Sequence, residues 1–131
     1  MDEQELKTRT KQFGLRVMKL VGALGRGRVG DAVARQLVWA GTSVGANYRA
    51  ACRGRSQAEF RSKIGIAEEE ADEAAFWMEL IIEGDLLPKK RVAPLLQEAD
   101  ELTAIFAASI KTSRRNPESK IRNPKPKMVG G

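Results

Sequence analysis

Apolar residues recur along this chain at alternating spacings of three and four, which places them on one side of an α-helix. Four such runs are present: Leu6, Thr10, Phe13, Val17, Leu20 and Leu24; Val33, Leu37, Ala40, Val44, Tyr48 and Ala51; Phe60, Ile64, Ala67, Ala71, Ala74, Met78 and Ile81; and Leu95, Ala99, Leu102, Phe106 and Ile110. No segment has a competing strand pattern. The pattern therefore predicts four amphipathic helices.

Turn residues indicate where these helices begin and end. We expect the first helix from about residue 2 to 24, the second from about 29 to 53, the third from 57 to 83, and the fourth to finish near residue 115. Glycine-rich turns separate the first two helices and end the third, and such turns suit a reversal of direction. Short connections of this kind predict an all-α, antiparallel, up-down-up-down four-helix bundle as one domain, residues 1–115.

Specific capping and proline residues refine these boundaries. Ser56 and Glu59 have the spacing of a capping box, in which the hydroxyl accepts a backbone amide proton and the carboxylate reaches back. Pro88 suits the first turn of the fourth helix, and Pro94 either lies early in that helix or separates a short turn from it. The last segment, residues 116–131, has three prolines and two terminal glycines. It is predicted to be a disordered basic tail.

Small side chains surround Val44 on the second helix. Gly41, Ser43, Gly45 and Ala46 allow another backbone to approach closely. Nearby, the amide of Asn47 and the phenol of Tyr48 lie near the apolar face, where each needs a hydrogen-bond partner. We interpret both as structural rather than catalytic.

The second half of the third helix carries extra apolar residues. Trp77 and Leu80 extend its surface beyond a single stripe. We expect this half to be buried on two sides, one of them an interface between subunits.

The composition limits the classes of function. The 131 residues carry 31% charged residues, no long uncharged apolar stretch, and an acidic, polar amino terminus. These features predict a cytoplasmic protein that does not enter the membrane. With one cysteine and no histidine, the chain offers neither an internal disulfide nor a Cys/His zinc site. We predict no metal and no cofactor.

Charge is unevenly distributed along the chain. Residues 1–63 contain 13 Lys and Arg against 5 Asp and Glu, residues 64–113 contain 4 against 11, and residues 114–131 contain 6 against 1. This asymmetry has two interpretations. It can serve an anionic partner, or it can pair basic with acidic helices within one copy or between copies.

The candidate binding residues are cations around the turn between the second and third helices: Arg49, Arg53, Arg55, Arg61 and Lys63. Such a field attracts the phosphates of RNA or DNA without reading sequence. Four tail cations are auxiliary candidates: Lys120, Arg122, Lys125 and Lys127. The alternative is that the arginines pair with Glu59, Asp72 or the acidic helix of a neighbouring subunit.

Carboxylates offer the best case for an enzyme. Residues 68–73 and 98–101 hold acidic side chains three and four apart, a spacing that can bind Mg²⁺ between facing helices. The inward positions, however, are already assigned to apolar residues, and Glu70 and Glu73 lie off that stripe. A magnesium-dependent nucleotide hydrolase is therefore the less favoured alternative, and we predict no catalytic residues.

Three groups of residues carry a resemblance to a known family: the segment SVGANYR at residues 43–49, Arg55-Ser56 with Glu59-Phe60, and Trp77. Over about residues 13–114 the chain resembles the bacterial four-helix proteins named for 23S rRNA intervening sequences, the S23 family. The resemblance implies a ring-shaped homopentamer. Family relatives that accompany retroelements look like basic accessory proteins that bind a reverse transcriptase and nucleic acid.

The chain departs from the common family pattern at two places. Ala50 replaces a frequent glutamate, and Glu69-Glu70 replaces a Gly-Ser pair. The first change removes a possible salt-bridge partner for the turn arginines. From the residues and the resemblance together, we predict a non-enzymatic oligomeric accessory protein that binds nucleic acid. A purely structural oligomer or protein-binding adaptor is the alternative.

Overall fold

The computed structural model describes residues 1–115 as four α-helices without a strand in that range. They are α1 (Glu3–Gly22), α2 (Arg28–Cys52), α3 (Gln57–Glu83) and α4 (Lys89–Arg115). The predicted all-α fold is confirmed, and the predicted ends lie within two residues of those observed. The predicted disordered basic tail, residues 116–131, lies outside the described residues.

The helices form an antiparallel up-down-up-down bundle, as predicted. Each helix contacts its neighbours in sequence, and α1 also contacts α4, which closes the bundle. The diagonal pairs, α1 with α3 and α2 with α4, make no close backbone contact within residues 1–115. Because consecutive helices run in opposite directions, α1 and α3 run in the same direction.

Side-chain caps define the starts of α1 and α3. Asp2 and Glu5 form a reciprocal capping box at α1, with hydrogen bonds of 2.7 and 2.9 Å. At α3 the Ser56 hydroxyl accepts the Glu59 amide proton at 3.0 Å, as predicted. The Glu59 carboxylate, however, accepts the amide proton of Arg55 at 2.8 Å, one residue before the cap. The reciprocal half of that box therefore ties down the preceding turn.

The core consists of the predicted apolar stripes from all four helices. Its fully buried large side chains are Phe13, Val17, Leu37, Val44, Ile64, Met78, Ile81, Val92, Leu102 and Phe106. Leu24, Phe60 and Ile110 were predicted in the stripes but are only partly buried, because they lie near the ends of the bundle. Pro94 lies inside α4 on an exposed position, which decides between its two predicted places.

The close approach predicted from small residues occurs between α1 and α2. A Cβ atom built on Gly41 would lie 2.7–2.9 Å from three atoms of the Val17 side chain on α1. A Cβ atom on Gly45 would lie 3.4 Å from the backbone of Thr10. The absence of side chains at these two positions therefore sets the spacing of α1 and α2.

The second half of α3 is buried on one side within a single copy. Trp77 is partly buried, but Phe76 and Leu80 are exposed. The core covers one face of α3, while Phe76 and Leu80 lie on another. The predicted burial of a second side at an interface between subunits stays a prediction.

Candidate nucleic-acid interface

The antiparallel topology brings four helix ends together: the starts of α1 and α3 and the ends of α2 and α4. We call this the basic end, after the cations that lie at the end of α2, in the turn before α3, in the first turns of α3 and at the end of α4: Arg49, Arg53, Arg55, Arg61, Lys63, Lys111, Arg114 and Arg115. The acidic residues at this end are largely engaged locally. Asp2, Glu5 and Glu59 cap helices, and Glu3 pairs with Lys7 at 3.0 Å.

A groove of about 710 Å³ runs along the outer seam of α1 and α2. We call it the α1/α2 groove. Its cationic side chains are Lys7 and Lys11 from α1 and Arg49 and Arg53 from α2, and no acidic residue lines it. Gly45, one of the two glycines that allow the close approach, also lines the groove, as does Gly14 on α1.

The five predicted cations do not all lie at one place. Arg49 and Arg53 line the same groove, and Arg55 lies exposed in the turn before α3. Arg61 points toward α4, where its Nη1 donates to the Ser113 hydroxyl at 3.2 Å. Lys63 is two positions further along α3, and side chains at that spacing face different sides of a helix. The tail candidates lie outside the described residues.

Ser113 links Arg61 to the start of α3. Its hydroxyl donates to the Gln57 Oε1 atom at 2.6 Å while accepting from Arg61. Within residues 1–115 the buried Nε2 atom of Gln57 has no hydrogen-bond partner. This short chain of side chains holds the Arg61 guanidinium against α4 and reduces its freedom to follow a ligand.

Within residues 1–115 none of the five candidates takes part in an ion pair. In the described part of the chain the ion pairs are Lys7 with Glu3, and Arg9 with Glu98 and Glu101. The predicted alternative partners Glu59 and Asp72 are exposed and make no ion pair with the turn arginines there. Pairing with a neighbouring copy stays a prediction.

Asn47, beneath this surface, has the structural hydrogen-bond partner predicted for it. The Asn47 amide donates to the Ser43 carbonyl at 2.9 Å. Tyr48 is buried with its ring centroid 6.0 Å from that of Phe106, and burial, followed by the nearby Cys52, raises its pKa. Burial also raises the pKa of the Cys52 thiol. With Tyr48 buried and Phe60 partly buried, these aromatics offer no open platform for stacking bases.

Several cations were missed in the sequence. Lys7 and Lys11 belong to the same groove as Arg49 and Arg53, and Lys111, Arg114 and Arg115 end α4 beside the start of α3. The signal was available, because an up-down-up-down bundle always places the start of its first helix and the end of its fourth at one end. Considered one helix at a time, the charges do not show that the cations of α4 lie at the same end as those of α2 and α3.

The carboxylates of α3 and α4 are arranged differently from a metal site. The described residues contain no group of three or more acidic or cysteine side chains placed to hold one ion. Glu98 and Glu101 are engaged by Arg9 across the α1–α4 seam. On α3, burial, and then the nearby Glu73 and Glu69, raises the pKa of Glu70.

No helix within residues 1–115 combines the length and apolar character needed to cross a membrane. No curated protein sequence matches the chain. Among solved structures, it is similar to a protein of unknown function from the S23 ribosomal protein family of Bacteroides thetaiotaomicron VPI-5482. The two share 28% identity and a TM-score of 0.78 over 85% of this chain and 99% of the other.

The family described as "23S rRNA-intervening sequence protein" matches residues 3–108, which is most of the chain and includes α1, α2, α3 and α4 as far as residue 108. The matched range contains the SVGANYR segment, the capped start of α3 and Trp77. The four-helix bundle, the similar solved structure and the family match all indicate the same family. The chain belongs to the 23S rRNA-intervening sequence protein family.

Proposed function

We propose that this protein is a non-enzymatic, oligomeric accessory protein that binds nucleic acid through the phosphate backbone. The observation that carries the proposal is that three arginines are exposed and take part in no ion pair among the described residues. Arg49, Arg53 and Arg55 are exposed at the basic end and make no ion pair within residues 1–115.

Unpaired, exposed guanidinium groups favour polyanions for a simple reason. Each cation that neutralises a phosphate releases a condensed counterion, so affinity rises with the number of contacts and falls with salt. Lys111, Arg114 and Arg115, exposed at the end of α4, add three cations to the same end. No aromatic side chain within residues 1–115 is exposed at the basic end, so binding is expected to be independent of sequence.

Self-association forms the second part of the proposal. A ring of copies, a pentamer by the family resemblance, would present several basic ends to one nucleic acid, and linked weak contacts bind far more tightly than single ones. The resemblance also supports a nucleic-acid enzyme such as a reverse transcriptase as a protein partner. We propose that the protein acts in the cytoplasm.

The test is fluorescence anisotropy with a labelled duplex DNA and a labelled structured RNA, at two salt concentrations. Arg53→Ala/Arg55→Ala is compared with Arg26→Ala/Arg28→Ala, which removes the same charge from exposed positions at the opposite end. We expect the first variant to weaken binding at least about tenfold and the second to change it less than about threefold. Equal effects of both variants would rule out the basic end as the binding surface, and no binding at low salt would favour the structural oligomer or adaptor.

The enzyme alternative has its own assay. A magnesium-dependent hydrolase would turn over nucleotides only with Mg²⁺ and would lose that activity in Glu70→Ala. We expect no magnesium-dependent turnover from the unmodified protein. Turnover that requires both Mg²⁺ and Glu70 would replace the accessory role with catalysis.

A further inference from the structure

The outer face of α1 carries a stripe with two kinds of side chain. Lys7, Lys11, Leu15 and Met18 follow one another at spacings of four, four and three, and all four line the α1/α2 groove. Leu15 is 50% exposed and Met18 53% exposed, and their spacing of three makes them neighbours in one apolar patch on the helix surface. The stripe is cationic toward the start of α1 and apolar toward its end. We call it the α1 stripe.

A second stripe lies on α3. Glu69, Glu73, Phe76 and Leu80 follow at spacings of four, three and four, and all four are exposed. Phe76 is 50% exposed and Leu80 38% exposed. Phe76 packs edge-on against Trp77, with ring centroids 5.3 Å apart, so it stands in a defined position. The α3 stripe is anionic toward the start of α3 and apolar toward its end.

The two stripes have the same length and the same order of charged and apolar residues, and their charges are opposite. Each covers three turns of helix, roughly 16 Å at 1.5 Å per residue. When α1 and α3 lie side by side in the same direction, Lys7 and Lys11 align with Glu69 and Glu73, while Leu15 and Met18 align with Phe76 and Leu80. Within one chain the two helices are diagonal in the bundle and cannot meet. Two copies can bring them together.

We infer that the α3 stripe of one copy packs into the α1/α2 groove of the next. This inference rests on the self-association in the proposed function and identifies the interface that forms it. The contact is heterologous, because it joins two different surfaces, and such contacts close into rings when the rotation between copies is suitable. Gly14 and Gly45 line the groove, and their lack of side chains leaves room there for a ridge from the partner copy.

The direction of the helices constrains the assembly. Since α1 and α3 are parallel within a chain, a parallel contact between copies keeps all bundles pointing the same way. Every basic end then faces one side of the assembly. A ring built in this way would gather the exposed arginines of all copies on a single face, which is the arrangement that a polyanion needs for simultaneous contacts.

The experiment measures assembly of the full chain without nucleic acid, by sedimentation velocity over a range of concentrations at low salt. The α1 reversal is Lys7→Glu/Lys11→Glu, and the α3 reversal is Glu69→Lys/Glu73→Lys. The combined variant carries all four changes. We expect either reversal alone to raise the dissociation constant at least about tenfold, because like charges then face each other. The combined variant restores opposite signs at every contact and should recover most of the lost affinity.

Two controls separate a lost interface from a lost fold. Circular dichroism should give the same helix content for all variants, and Trp39→Gln removes the most exposed aromatic, 73% exposed on α2 outside both stripes. Trp39→Gln should assemble like the unmodified chain. Phe76→Gln should dissociate like the reversals.

Each other outcome overturns the inference in a distinguishable way. A monomeric unmodified chain removes both the interface and the proposed self-association. An unmodified chain that assembles, with reversals that change nothing or a combined variant that does not recover, leaves the proposed function standing and places the interface elsewhere.

Discussion

Arg9 on α1 and Glu98 on α4 join the first and last helices of the bundle by a bidentate ion pair. The Nε and Nη2 atoms of Arg9 donate to the two Glu98 oxygens at 2.6 and 2.7 Å, and Nη2 also reaches Glu101 at 2.6 Å. The hydrogen bond to Glu98 is the main reason that the pKa of Arg9 is raised. The pair closes the seam between the two helices that are not consecutive in sequence.

The ion pair predicts a measurable coupling between α1 and α4. The Arg9 and Glu98 side chains are only 26% and 15% exposed, so removing one leaves the other partly buried without its partner. We expect Arg9→Ala to lower the free energy of unfolding by about 1–3 kcal/mol, and Arg9→Ala/Glu98→Ala to cost less than the sum of the single changes. Urea unfolding of the four proteins in the cycle gives the coupling.

Glu3→Ala is the matched control for that cycle. It removes an exposed pair with Lys7 within a single helix, which is expected to contribute at most about 0.5 kcal/mol. Additive effects of Arg9 and Glu98 would show that the pair contributes nothing to closing the bundle.

Gly41 and Gly65 should respond to alanine with opposite signs. Alanine favours a helix over glycine by about 1 kcal/mol. At Gly41 the new methyl group would meet the Val17 side chain at 2.7 Å, and overpacking a core costs about 1–3 kcal/mol. At Gly65 nothing lies within 4 Å of the added atom. Thermal unfolding should show Gly41→Ala below and Gly65→Ala above the unmodified chain, and stabilisation by both would refute the close contact.

The sequence was sufficient for the fold because each helix carries its own signal. The apolar spacing identified the buried faces of all four helices, and Ser56 marked the start of α3. Contacts between residues that are distant in sequence could not be predicted from these local signals. Arg9 and Glu98 are far apart in sequence, and no local feature around either residue predicts that they form an ion pair.

The candidate site was predictable only in part for a related reason. Arg49 and Arg53 line the same groove, as their spacing of four at the end of α2 indicates. Arg61 was grouped with them by its position in the chain, but its side chain points toward Ser113 on α4. Deciding the direction of an exposed cation requires the neighbouring helix, which a one-dimensional pattern does not contain.

Glu70 predicts a pH-dependent change in stability. Its Oε1 atom is buried with no hydrogen-bond partner within residues 1–115, and burial, then Glu73 and Glu69, raises its pKa. A raised carboxyl pKa favours folding under acidic conditions, and this contribution is lost as the pH rises through the raised value. At pH 7 we therefore expect Glu70→Gln to be more stable than the unmodified chain, by less than about 1 kcal/mol.

The pH series distinguishes this effect from a general effect of removing charge. The advantage of Glu70→Gln should shrink as the pH falls below about 4, where glutamate is protonated in the unfolded chain as well. Glu79→Gln, an exposed change on the same helix, should give no comparable gain at pH 7. An advantage for Glu70→Gln that does not vary with pH would contradict the role of its ionisation.

The most direct test of nucleic-acid binding is the salt dependence of the affinity for duplex DNA. On a logarithmic plot the slope is about −0.9 for each phosphate neutralised. We predict a clearly negative slope for the unmodified chain, and a slope smaller by about 2 for Arg53→Ala/Arg55→Ala, since each exposed arginine accounts for one contact in each bound copy. A slope that is near zero, or that is unchanged when both arginines are removed, would contradict binding through the basic end.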